Sequence, residues 1–349
     1  MVVALKYFFA VLLLAASSLF GVAANADSAA SKSVSIASTK SRVVANTSTK
    51  KKATTSKKKK KKAVKKSRKK AVASSKAKSK KTTVAKKTIA PGNVPLLIES
   101  NAAFVMNERT GEVLYAKDPD RARPIASITK LMTAMVVLDA RLPMNQTITV
   151  TSAEIDRLRN TTSRLSVGSK LTRKEMLLLS LMSSENRAAA ALARTYPGGT
   201  KAFVAKMNAK ARALGMKSAR FYDSTGLHGG NVATPRDLAK MVQAANAYPD
   251  IRRLSTWPEK VVNVGRGHQL AYRNSNALVK SSSWDIGLQK TGFINEAGRC
   301  LVMQADIRHQ PTVIVLLDSQ GKYTRIGDAN RLKQWLEKGA GSKLLLASK

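Results

Sequence analysis

Three short stretches of this chain carry residues whose types and spacing can do covalent chemistry. Ser127 and Lys130 stand three apart in Ser127-Ile128-Thr129-Lys130, where an apolar run with helical spacing begins at 128 and ends at 140. Three residues is just under one helical turn, so the hydroxyl and the amine share a face within hydrogen-bonding reach. Such a pair supplies a nucleophile and, when the amine is neutral, the base that takes its proton. The start of a helix adds backbone N–H groups that favour a developing oxyanion. Ser184-Glu185-Asn186 falls where the helical pattern of 174–193 is interrupted. Its hydroxyl can relay a proton and its amide can hold a carbonyl or an amine, although a plain helix N-cap uses the same residue types. Lys290-Thr291-Gly292 follows a strand-like run over 286–290. It offers a cation and a hydroxyl donor to a carboxylate, with a glycine that admits a close backbone. Each stretch alone is a weak signal; Ser-x-x-Lys recurs by chance in the Lys-rich N-terminal segment.

Their order, their separations of 57 and 106 residues, and their helix, loop and strand settings form one recurring pattern. The sequence resembles the penicillin-binding serine D,D-peptidases, whose S-x-x-K, S-x-N and K-T-G boxes line one cleft. The likeness extends to Phe221-Tyr222-Asp223-Ser224-Thr225-Gly226-Leu227, Thr234-Pro235-Arg236-Asp237-Leu238-Ala239 and Asn274-Ser275-Asn276-Ala277-Leu278, and covers about residues 95–340. The resemblance implies that Ser127 attacks a D-alanyl carbonyl to form an acyl-enzyme and that Lys130 takes its proton. It implies a neutral Lys130, its pKa lowered by burial and by a second cation, Lys290. Ser184 would pass the proton to the leaving amine, and Asn186 would orient substrate and Lys130. Lys290 and Thr291 would bind the carboxylate beside the scissile bond, Gly292 would let the substrate backbone approach, and the N–H groups of Ser127 and Phe293 would form the oxyanion hole. The partners so implied are peptidoglycan stem peptides, with β-lactam antibiotics as covalent inhibitors and no cofactor.

Within that family the residues favour an endopeptidase cutting D-alanyl crosslinks over a carboxypeptidase removing terminal D-alanine. Ser183-Ser184-Glu185-Asn186-Arg187-Ala188-Ala189 resembles the penicillin-binding protein 7 type. The 57 residues after Gly292 suffice for two strands and a helix, but not for the further β-domain and amphipathic anchor of typical carboxypeptidases. A class A β-lactamase shares the fold, but its deacylating glutamate has no counterpart, since no Glu occurs from Arg187 to Pro258.

The elements that must position these boxes read as follows. Strands are expected over 102–107 and 112–115, joined by Arg109-Thr110-Gly111, and over 286–290, 300–305 and 312–317. Helices are expected over 128–140, 174–193 with its break, 201–214, 235–247 capped by Thr234 and Pro235, and 329–337. Strands at both ends around a helical middle predict an α+β fold: an antiparallel sheet of the β-lactamase/D,D-peptidase type, flanked by helices, with an inserted helical lobe.

Composition divides the chain. Lys6, the apolar run 7–23 and Ala24-Asn25-Ala26 read as an export signal over 1–26, an uncleaved anchor being the alternative. Either delivers the body to the periplasm or otherwise outside the cytoplasm. Residues 27–92 are low-complexity; from Asp27 to Pro95, 23 Lys or Arg face one acidic residue. No aromatic residue interrupts that segment, so it reads as a disordered tail or linker. An anionic envelope polymer or membrane surface would suit it as a partner. Nucleic acid fits the charge but not the export signal, and a non-enzymatic wall- or DNA-binding protein does not fit the three boxes. A catalytic domain over 93–340 and a short tail over 341–349 complete the division. Cys300 is the single cysteine, so no internal disulfide forms, and its apolar setting marks a buried thiol. His228, His268 and His309 are scattered without metal-ligand spacing.

Overall fold

The structure, a computed structural model, describes residues 96–339; the expected signal, Lys-rich and C-terminal segments lie outside the described residues. The chain opens with a hairpin, β1 (Ala102–Asn107) and β2 (Val113–Lys117), closed by Gly111 at φ 75°. The short β3 (Arg123–Pro124) leads into one tight helical turn, Ala126–Ile128, which runs straight into α1 (Thr129–Asp139). A small ribbon follows, β4 (Thr147–Thr149) with β5 (Lys170–Thr172), then the helices α2 (Arg173–Met182), α3 (Asn186–Arg194) and α4 (Gly199–Ala213). β6 (Val232–Ala233) pairs back onto β3 and precedes α5 (Pro235–Asn246) and α6 (Pro249–Ser255). A second hairpin, β7 (Glu259–Asn263) and β8 (Gln269–Arg273), comes before three long strands and the closing helix. Those are β9 (Asp285–Ile294), β10 (Gly298–Ile307), β11 (Gln310–Ser319) and α7 (Thr324–Glu337).

The main sheet is antiparallel, in the order β2-β1-β11-β10-β9. β1 lies against β11 with Ala102 opposite Leu317 and Asn107 opposite Thr312, so the two ends of the described chain close one sheet. Its strands are apolar on both faces because both faces are covered. Ala102, Phe104, Met106, Val302, Val313 and Val315 join the larger core with the helices of the middle of the chain. Their alternates Ala103, Val105, Leu301, Met303, Ile314 and Leu316 pack with Ala329 and Leu332 of α7. The period of two along each strand thus assigns successive residues to two separate cores. This is the α+β sheet with flanking helices and an inserted helical lobe that the sequence predicts.

Local chemistry sets the helix starts. Thr172 and Glu175 form a capping box at α2, and Thr234 accepts from Asp237 N with Pro235 at the first position of α5. Cys300 is fully buried between sheet and helices, and burial pushes its thiol up to about 12. Among the described residues no helix is long and apolar enough to cross a membrane, and no cluster of metal-ligating side chains occurs.

Candidate active site

The tight turn Ala126–Ile128 holds Ser127 at the mouth of a cleft of about 450 Å³, which Ser184, Asn186, Ser275, Thr291, Phe293 and Arg325 also line. One helical turn below, Lys130 is fully buried. Its Nζ lies 2.8 Å from Ser127 Oγ, 2.8 Å from Asn186 Oδ1 and 2.6 Å from the carbonyl oxygen of Thr225. Burial lowers the Lys130 pKa to about 7, against Asp223 and Glu185, whose charges favour the ammonium. At that value the amine is neutral much of the time near neutral pH, as a base for a serine hydroxyl requires.

Asn186 is delivered by the break between α2 and α3. α2 ends when Ser183 N–H and Glu185 N–H both donate to Leu179 O. Ser184 between them adopts φ 64°, a left-handed conformation rare outside glycine, and Glu185 then N-caps α3 by accepting from Arg187 N. The Glu185 carboxylate also accepts from Ser163 Oγ at 2.7 Å. Lys290 Nζ donates to Ser184 Oγ at 3.0 Å and to Thr291 O at 2.9 Å. Lys290, likewise fully buried, is pushed well below the ordinary lysine range by burial first, then by Lys130 and Arg325. Burial is the first cause at each lysine, and the repulsion between the two amines, which is mutual, disfavours charging both at once.

Lys290-Thr291-Gly292 lies within β9 rather than after a strand, opposite Val302, Leu301 and Cys300 of β10. β9 is an edge strand of the main sheet, so the side not paired to β10 is open to the turn that carries Ser127. A Cβ on Gly292 would stand 2.9 Å from Ile125 O and 3.2 Å from Ser127 N. Gly292 therefore lets its own strand approach the turn that carries Ser127, a close contact within the chain beside the substrate approach expected of it. Thr291 Oγ1 and Ser275 Oγ are 2.6 Å apart in the cleft. Phe293 is half exposed at the rim, where the Arg299 guanidinium lies 4.5 Å from its ring centroid.

Several contributors have no role in the sequence reading. Asp223 gathers the loop under the nucleophile, accepting from Thr225 N at 2.8 Å, Gly226 N at 2.6 Å and His228 N at 2.7 Å. That loop presents Thr225 O to Lys130 and Ser224 O to Thr133 Oγ1. Buried Asn231 ties it to α1 through Thr129 Oγ1 at 3.0 Å. Gly226, at φ 83°, has Ala126 O where a Cβ would be, 1.9 Å away. Arg325 at the start of α7 lines the cleft with a buried Nε that has no hydrogen-bond partner. Asp223, Gly226 and Ser275 lie in segments that carry the family resemblance; nothing in the sequence marks Arg325 among 62 Lys and Arg.

A fully buried lysine against a serine, a second buried lysine on an edge strand, and a sheet closed by both ends of the described chain form an arrangement suited to acyl transfer by serine and lysine. The comparisons with known proteins refine that class. The D-alanyl-D-alanine carboxypeptidase model of peptidase family S11 matches residues 85–321, and the chain belongs to that family of serine-type hydrolases. It is 49% identical over 271 residues to a D-alanyl-D-alanine endopeptidase of Pseudomonas aeruginosa, spanning 77% of this chain and 87% of that protein. To a D-alanyl-D-alanine endopeptidase of Escherichia coli it is 48% identical over 257 residues, spanning 73% and 83%. Among solved structures it is similar to the Streptomyces K15 DD-transpeptidase, with a TM-score of 0.64 and 30% identity over 68% of this chain and 97% of that one. It is also similar to penicillin-binding protein D2 of Listeria monocytogenes in its cefotaxime-bound form, with a TM-score of 0.60 and 27% identity over 70% and 99%.

Proposed function

We propose that the chain is an exported D-alanyl-D-alanine endopeptidase that opens peptide crosslinks of peptidoglycan through a Ser127 acyl-enzyme and is acylated by β-lactams. The observation that carries this reading is the 2.8 Å approach to the Ser127 hydroxyl of a buried Lys130 amine whose pKa is lowered to about 7. Lys130 takes the Ser127 proton as Oγ attacks the D-alanyl carbonyl carbon. The negative charge collects on the carbonyl oxygen, held by the N–H groups of Ser127 and Phe293. The position of a Gly292 Cβ, 3.2 Å from Ser127 N, supports their placement side by side. Ser184 Oγ, hydrogen-bonded to Lys290, returns the proton to the leaving amine as the C–N bond breaks. Asn186 fixes Lys130, and Thr291 and Arg325, which line the cleft, hold the substrate carboxylate with Lys290 buried behind them. Water then attacks the ester carbonyl, giving its proton to Lys130, which passes it to Ser127 Oγ as the acyl C–O bond breaks and the acid leaves.

Likeness to two D-alanyl-D-alanine endopeptidases over more than four-fifths of their length supports endopeptidase over carboxypeptidase. The test is digestion of purified crosslinked muropeptide dimers, with products weighed by mass spectrometry. Monomers are expected, without prior release of free alanine. Release of single D-alanines from uncrosslinked pentapeptides, with dimers left whole, rejects the endopeptidase reading. Ser127→Ala is expected to abolish both turnover and labelling by fluorescent penicillin, and labelling that survives rejects the nucleophile.

A further inference from the structure

A second concavity, of about 630 Å³, lies between the β4–β5 ribbon and the tip of the β7–β8 hairpin. Arg164, Lys170, Arg266 and His268 line it, and no Asp or Glu does among the described residues. Arg164 is exposed yet held in place: its guanidinium stacks 3.7 Å from the centroid of the Tyr272 ring and donates to Ala271 O. A planar cation fixed in this way has already lost much of its side-chain freedom before any anion arrives. Lys170 N–H donates to Val264 O at 2.9 Å, which ties the ribbon to the hairpin and sets the spacing of the basic groups.

This concavity connects with the cleft. A smaller hollow of about 310 Å³ is lined by Ser184 and Asn186, which also line the cleft, and by Arg164, which also lines the basic concavity. Cleft, hollow and basic concavity thus share walls in sequence, leading away from Ser127.

We propose that Arg164, Lys170 and Arg266 form a remote subsite for carboxylates of the crosslinked peptide, beyond the residues flanking the scissile bond. This inference rests on the endopeptidase reading and deepens it. A crosslinked dimer carries free carboxylates on its second stem peptide, whereas a short D-alanyl-D-alanine substrate ends inside the cleft. Guanidinium and ammonium groups in a concavity whose own lining holds no acid are matched to such carboxylates, with Glu185 confined to the connecting hollow, where it accepts from Ser163 Oγ. Contact made far from the reacting bond adds affinity for the larger substrate and none for the smaller. The subsite therefore selects crosslinks over single stems.

The test measures binding on the full-length Ser127→Ala protein, so that cleavage does not enter. Calorimetry compares a muropeptide dimer with free stem carboxylates and the same dimer amidated at those positions. Lys170→Gln with Arg266→Asn removes charge at two exposed positions, and asparagine suits the left-handed φ of 52° at 266. Those substitutions are expected to weaken binding of the free-carboxylate dimer about fivefold and to leave the amidated dimer unchanged. Arg164→Ala, with folding checked by circular dichroism, is expected to act in the same direction. Equal affinity for the two dimers, or no effect of the substitutions, overturns the proposal. A soluble polyphosphate that binds more tightly than the dimer and loses affinity in the same variants would assign the pocket to phosphate, and also overturns it. Cleavage of the dimer by wild-type protein is scored separately. Variant-sensitive binding without cleavage sinks the endopeptidase reading and leaves the subsite standing.

Discussion

Lys130 has three oxygen neighbours, and that number decides what it can do. A neutral amine has two N–H donors and one lone pair. Asn186 Oδ1 and Thr225 O accept the two donors, which leaves the lone pair for the Ser127 O–H. The ammonium has three donors, one for each oxygen, so the proton can arrive without a heavy atom moving. With Lys130 near 7, penicillin acylation is expected to rise about tenfold between pH 6 and pH 8 and then level off. A stopped-flow profile flat across that range removes Lys130 as the base. The same group gives a stability signature. From about 7 up to its ordinary 10.5, the unfolded chain binds the proton that the folded one has lost, so stability rises with pH over that window. Lys130→Met abolishes that contribution.

Gly226 makes the second residue-scale case. A Cβ there would sit 1.9 Å from Ala126 O and 2.8 Å from Ser127 N, so alanine must displace the turn that aims the nucleophile. Gly226→Ala is expected to slow penicillin acylation by at least about a hundredfold, the usual cost of misplacing a reacting atom by about an ångström. Gly111→Ala is the control, since Gly111 is also left-handed but has nothing within 4 Å of its Cβ position. Acylation by Gly226→Ala as fast as by Gly111→Ala would show that Gly226 does not set the turn. The three boxes were legible because their residue types declare chemistry. Gly226 was legible only as part of a resemblance, because its role is the space it leaves and no side chain announces that. Arg325 was illegible because recruitment to the cleft depends on where α7 docks.

At the scale of elements, apolar runs gave all five strands of the main sheet, and β1 runs from Ala102 to Asn107 as expected, but the ends of the other four moved. β9 runs on to Ile294 because its pairing with β10 continues to Gly298, so the third box became part of a strand. The β7–β8 hairpin went unseen because only Val262 and Tyr272 along it are buried, too few to print an alternating pattern. The seven residues of α6 likewise make fewer than two helical turns, too few for a repeating pattern to be read. The tie between α7 and the start of β1 is another feature that only the fold reveals. Fully buried Asp328 accepts from Ser100 N at 2.7 Å, Ser100 Oγ at 2.5 Å and Glu99 N at 3.0 Å. Burial raises its pKa, and the hydrogen bonds from Ser100, Glu99 and Arg331 outweigh this, leaving the carboxyl below its ordinary value. Its contribution is therefore present above the unfolded carboxyl range and lost as pH falls through the lower folded value. Asp328→Ala strands the buried Ser100 groups and is expected to cost about 2–3 kcal/mol in urea unfolding. A cost below about 0.5 kcal/mol would show that the ends of the chain are held by sheet pairing alone.

Charge is the property that belongs to the whole molecule. The net of +41 is shared between the basic folded body and residues 27–92, which lie outside the described residues. Both halves carry an excess of positive charge suited to an anionic surface, so simple retention on peptidoglycan would not say which one acts; the salt dependence would. Each anionic group neutralised on a polyanion releases counterions, and the slope of log affinity against log salt counts them. Screening shortens the reach of exposed charge to about 10 Å at 0.1 M salt. A segment of mostly Lys, Ala, Ser and Thr has only this long-range attraction to contribute, whereas the cleft contributes shape as well. Deleting residues 27–92 is therefore expected to flatten the salt slope of binding to intact sacculi, with the largest loss of affinity at low salt. Turnover of small soluble peptides should stay within about twofold, because such substrates reach only the buried lysines and their hydroxyl partners. Sacculus-binding isotherms from 50 to 500 mM salt decide it, run on about equal amounts of both forms. If the two forms bind with the same slope, the folded body's own basic surface carries the attraction, and the Lys-rich segment serves as a spacer.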